Sequence, residues 1–198
     1  MSEKSFISRR EFLRLGVAAA GAAALSQLES DQAPREIFVA EKYKNFQLEG
    51  EQIFIQKIKT ALELLGTTGI LEIDVEPYIK TIRQLGVSDE RGTGVYPLQN
   101  QTAFIDRADW ERATEWLASI VAHEARHMEL FVAANGQVGE ERVGNTHVSD
   151  AAWRVGPGEI GACEKQIEVL KLLHAEESEI IRMKKHLENL KKKWAEEK

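Results

Sequence analysis

The chain has 198 residues, 43% apolar and 29% charged, which suits one globular domain plus short terminal segments and excludes a disordered or multipass membrane protein. Its formal charge of −6 offers no basic face from which nucleic acid could displace counterions, so no nucleic acid is expected as a partner. The single cysteine, Cys163, cannot form an intrachain disulfide, which leaves the core to be held by packing and by a metal if one is bound.

Residues 8–13 read Ser8-Arg9-Arg10-Glu11-Phe12-Leu13, and behind them Gly16 to Leu25 form a short, uncharged, mildly apolar run. This order resembles the twin-arginine export signature, and the run is too short to span a bilayer. The resemblance implies a signal peptide over residues 1–30 and the twin-arginine export machinery as a partner. It also implies a periplasmic or extracellular location with no stable membrane span after processing. Ala-x-Ala triplets end near Ala24; removal of 24 residues would take away four cations (Lys4, Arg9, Arg10, Arg14) and two anions (Glu3, Glu11), moving the charge from −6 to −8. No cysteine follows the run, which argues against a lipoprotein anchor.

Beyond the signal, residues 31–48 are ambiguous, although Phe46 and Leu48 alternate with polar neighbours as a strand does. Ile55, Ile58, Leu62 and Leu65 predict a helix over 49–65, with Gly66 as its stop. Ile79, Ile82 and Leu85 predict a second helix from Asp74 to Leu85, with Pro77 in its first turn. Residues 94–105 read as a hairpin or two short strands around Gln99-Asn100. A long helix is expected from near Asp109 to Asn135-Gly136, followed over 136–158 by a loop containing five glycines and Pro157.

Glu159 then opens a final helix expected to run to the carboxyl terminus. In its second half Leu173, Ile180, Leu187 and Trp194 stand seven apart, with Met183 and Leu190 between them. That seam fits either self-association through the C-terminal helix or a solvated extension. The division expected is a domain over 31–175 and an extended helical tail over 176–198.

His123-Glu124-Ala125-Arg126-His127 is an H-E-x-x-H sequence inside the predicted long helix. Residues four apart share a helix face, so both imidazoles can reach one ion, and zinc accepts two such ligands with room for a third and a water. Glu124, one position past His123, can serve as the general base on that water. Trp116, Ile120, His123, His127 and Phe131 form one semi-apolar stripe, so the two histidines sit where core residues would otherwise be.

Residues 119–127 resemble the active-site helix of zincin metallopeptidases, and Glu159-Ile160-Gly161-Ala162-Cys163 is similar to the third-ligand segment of the gluzincin type. The resemblance implies zinc held by His123, His127 and Glu159, with Glu124 as the catalytic base and a peptide or protein as substrate. It also implies a zincin-like core of motif helix, backing helix and short sheet, within a mostly helical α+β fold. A helix start packed behind the motif helix can aim the Glu159 carboxylate at the ion; Glu164, His147, Glu140 and Glu141 are rival third ligands. Where many gluzincins place an acidic residue a few positions after the ligand glutamate, this chain has Cys163 and then Glu164; Cys163 reads as a small buried residue, not a ligand. His147, Tyr96 and Tyr78 have the chemistry to stabilise a transition state. Thr102 to Ile105 could be an edge strand for an extended peptide.

The function expected is therefore an exported zinc-dependent peptidase. Its rival is a non-catalytic exported zinc-binding protein that keeps the motif. A ferritin-like di-iron protein would need a second E-x-x-H, which the chain lacks: Lys171 and Met183 stand three before His174 and His186.

Overall fold

Strand β1 (Phe38–Tyr43) turns at Lys44-Asn45 into β2 (Phe46–Glu51), and the two pair antiparallel from Tyr43 opposite Phe46 to Phe38 opposite Glu51. The alternation read in the sequence is the cause: Phe46, Leu48 and Gly50 face inward, while Gln47, Glu49 and Glu51 are half-exposed. The computed structural model describes residues 38–86, 94–96, 101–135 and 156–196, of which 94–96 and 134–135 are described by backbone alone. The expected signal segment, residues 1–30, and the segment 136–155 with Glu140, Glu141 and His147 lie outside the described residues.

Helix α1 (Gln52–Gly66) follows at once and buries Phe54, Ile55, Ile58, Ala61, Leu62 and Leu65 on one face, as its periodicity predicts. The segment expected to be a helix from Asp74 to Leu85 is instead a π-helical turn (Leu71–Val75) followed by strand β3 (Thr81–Gln84). The apolar spacing is real, since Ile79, Ile82 and Leu85 are all buried. It is satisfied by a strand because β3 runs parallel between β2 and a later strand, Thr102–Ile105, a pairing of segments distant in sequence.

Strand β4 (Gly94–Tyr96) pairs antiparallel with β5 (Thr102–Ile105), the hairpin expected over 94–105. The sheet order is β1-β2-β3-β5-β4. β5 is thus an interior strand, buried at all four residues, and not the edge expected for peptide pairing; β1 and β4 form the edges.

A single turn, α2 (Arg107–Trp110), is capped by Asp106, whose Oδ1 accepts from Asp109 N at 3.0 Å. Its end is held by Lys57, whose Nζ donates to the carbonyls of Trp110 and Glu111 at 3.2 and 3.1 Å. The helix expected from Asp109 is therefore broken near Glu111, and the long helix α3 runs Thr114–Asn135. α3 touches α1, the π turn, β4, β5 and α4, so the other elements assemble around it.

Helix α4 (Pro157–Leu172) starts two residues before the expected Glu159 and does not continue to the carboxyl terminus. His174 adopts φ +53°, Ala175 N donates to Leu170 O at 3.0 Å, and His174 N to Lys171 O at 3.2 Å. These are the bonds of a Schellman stop. Helix α5 (Glu177–Glu196) then docks on the domain. Met183 is buried, Ile180, Leu187 and Leu190 pack against the core, and Glu179 pairs with Arg112 at 2.5 Å. The apolar seam thus packs, in part, against the domain of its own chain. The fold is α+β and mostly helical. Among the described residues no helix is long and apolar enough to cross a membrane.

Candidate metal centre

Two helices meet at the site. On α3, Ser119, His123 and His127 recur every four residues and so share a face. On α4, Glu159 lies in the first turn, directly after the Gly156-Pro157-Gly158 entry that fixes the helix start. The helices approach closely just beyond it: a methyl group built on Gly161 would stand 3.0 Å from Leu130 Cδ1 of α3. That proximity brings the Glu159 carboxylate onto the histidines.

His123 Nε2 lies 3.0 Å from His127 Nε2, His127 Nε2 3.0 Å from Glu159 Oε2, and His123 Nε2 3.8 Å from Glu159 Oε1. Ligands at zinc distances around a tetrahedral ion stand about 3.3–3.4 Å apart, and the two imidazole nitrogens and the carboxylate approach one another at close to that spacing. The donor chemistry agrees: a proton on His127 Nε2 faces both an imidazole nitrogen and a carboxylate oxygen, and a cation in its place would satisfy all three. The buried cluster of His123, His127 and Glu159 can hold a metal ion.

The protonation states of the site favour ligation. Burial, reinforced by the neighbouring His127, pushes His123 down to about 4 against the opposing pull of Glu159 and Gln166. Burial alone would raise the Glu159 carboxyl, but its hydrogen bond to His127 and the charges of both rings hold it at about 2. Near neutral pH His123 is uncharged, and the hydrogen bonds from His127 and Cys163 continue to favour the ionised Glu159. A neutral imidazole and an ionised carboxylate are the forms a metal requires.

Glu124 is almost fully buried, with Oε1 3.9 Å from His123 Nε2, and it stands beside the ligand set instead of within it. Of the rival third ligands, Glu164 is exposed and pairs with Lys191 at 2.7 Å. Tyr78 packs against the core beyond the π turn.

Two neighbours escaped sequence reasoning. Gln166, 1% exposed, lies close enough to His123 to favour its protonated form and donates from Nε2 to Ser119 Oγ at 3.3 Å, while Ser119 Oγ donates to Trp116 O at 2.7 Å. Its signal was a glutamine on the α4 stripe that otherwise carries Cys163, Ile167 and Leu170. This chain of partners holds a polar side chain in place beside the imidazole. The other is His186, which α5 brings beside Cys163 and Glu159. Cys163 is buried and its Sγ donates to Glu159 Oε1 at 3.5 Å; burial and the adjacent Glu159 carboxylate push its thiol well above the usual range.

Comparison of the chain with protein-family models, with curated proteins and with solved structures finds no match.

Proposed function

We propose that the protein is an exported zinc-dependent hydrolase, a metallopeptidase in which His123, His127 and Glu159 hold the ion and Glu124 is the general base. The observation that carries this reading is the convergence of both motif imidazoles and a carboxylate from a second helix beside a buried Glu124. When bound, zinc supplies a Lewis acid that acidifies water and polarises a carbonyl. Glu124, on the same turn as His123 but outside the ligand set, takes the proton of the water that attacks the peptide carbonyl. Gln166, buried beside His123 and bonded to Ser119, restricts the space in which the His123 ring can turn.

One observation favours the rival, a non-catalytic zinc-binding protein: His123, Glu124 and His127 are each no more than 9% exposed. A single comparison separates the two. Glu124→Gln should keep the zinc held by His123, His127 and Glu159 while peptide hydrolysis, read on a mixed peptide library by mass spectrometry, falls by about 10²–10⁴-fold. His123→Ala and His127→Ala should lose both ion and hydrolysis. If wild type holds the ion and cleaves nothing, the non-catalytic reading takes its place; if Glu124→Gln loses the ion as fully as the histidine variants, Glu124 is a ligand.

A further inference from the structure

The Glu159 carboxylate faces two ways. Oε2 is 3.0 Å from His127 Nε2, whereas Oε1 accepts from Cys163 Sγ at 3.5 Å. Beyond that thiol stands His186 of α5, and the donor atoms of Glu159, Cys163 and His186 lie within 4.8 Å of one another. The two sets of donors share Glu159 alone. We propose that Glu159, Cys163 and His186 form a second cation position beside the first, bridged to it by the Glu159 carboxylate.

The geometry suits a borderline-soft ion. A thiolate and a carboxylate at zinc distances on one tetrahedral ion stand about 3.6 Å apart, against the 3.5 Å between Cys163 Sγ and Glu159 Oε1. A thiolate, an imidazole and one carboxylate select zinc or cobalt over magnesium and calcium, which take oxygen ligands. His186 belongs to a docked helix: Glu179 pairs with Arg112, Met183 is buried and Lys191 pairs with Glu164, so α5 is fixed on both sides of the histidine. Ligation by Cys163 releases the thiol proton to solvent. The second ion binds more weakly than the first, because it shares one carboxylate with another cation and His186 is exposed. α5, which the sequence presents as a tail, thereby becomes part of the metal centre.

The position is tested on the metal-free full chain by titration with cobalt(II), followed by absorption, and with zinc against a competing chelator. Two equivalents are expected in wild type, the second at least tenfold weaker and accompanied by a thiolate-to-cobalt charge-transfer band. Cys163→Ser and His186→Ala should each abolish the second equivalent and the band while leaving the first; His123→Ala should abolish the first and keep the second. Saturation at one equivalent, or a band that survives in His186→Ala, overturns the proposal. So does a band that develops with the first equivalent, since it would put Cys163 on the first ion. Hydrolysis is not the readout, so failure of the peptidase reading leaves this result intact, and the converse also holds.

Discussion

His123 is a base held in a place that resists its protonation. Folded, it stays neutral down to about pH 4; once unfolded it titrates near 6.5. Between those values the unfolded chain binds the extra proton, so acidification across that window favours unfolding. Glu159, depressed from 4.5 to about 2, acts in the same direction at lower pH, its contribution present above 4.5 and lost as pH falls toward 2. The metal-free chain should therefore melt at progressively lower temperature as pH is taken from 6.5 to 4, and His123→Asn should flatten that fall; equal slopes for the two proteins would show that this ring is not responsible. The motif residues were legible in the sequence because a four-residue helical interval is local geometry. Glu159 was legible because a helix start fixes a direction. Gln166 and His186 were not, since each matters only through what another helix brings to it.

The break between α4 and α5 depends on one backbone angle. A non-glycine residue in the left-handed region costs about 1–2 kcal/mol, and His174 occupies it at φ +53°. His174→Gly should stabilise the chain by about 0.5–1 kcal/mol, less than the full relief because glycine also gains freedom when unfolded; urea denaturation measures it, and a loss of stability would contradict the Schellman assignment. The sequence gives little sign of this stop because the usual glycine is missing. The helix expected over 74–85 was misread for a different reason. Its apolar spacing is real, but whether Ile82 is buried by a helix or a strand is decided by β2 and β5 on either side. Where local chemistry dominates, the reading held: α1 follows its periodicity, and the β4–β5 hairpin stands where it was expected. Tight packing also limits what β2 and β3 tolerate. A methyl on Gly50 would stand 2.6 Å from Phe54 Cδ1 and 2.7 Å from Gln84 Oε1, whose own partner is the Glu51 amide at 2.7 Å.

Across the whole molecule, the first half of α5 is tied to the start of the motif helix. Arg112 lies 3.4 Å and Arg182 4.5 Å from the Trp116 ring centre, while Trp116 Nε1 donates to Asp109 Oδ1 at 3.0 Å. At the other end of the chain, outside the described residues, Arg9-Arg10 carry the proposed export. Replacing both with lysine should leave the precursor in the cytoplasm when cell fractions are compared, and undiminished export would remove the twin-arginine reading. His127 and Glu159 stand 32 positions apart in the sequence, so an ion gripping both would close that span of chain. By the loop-closure relation used for disulfides, a staple of that span is worth about 3–4 kcal/mol of chain entropy. The only cysteine cannot provide such a tie by itself, and two imidazoles with a carboxylate would do the work of the missing disulfide.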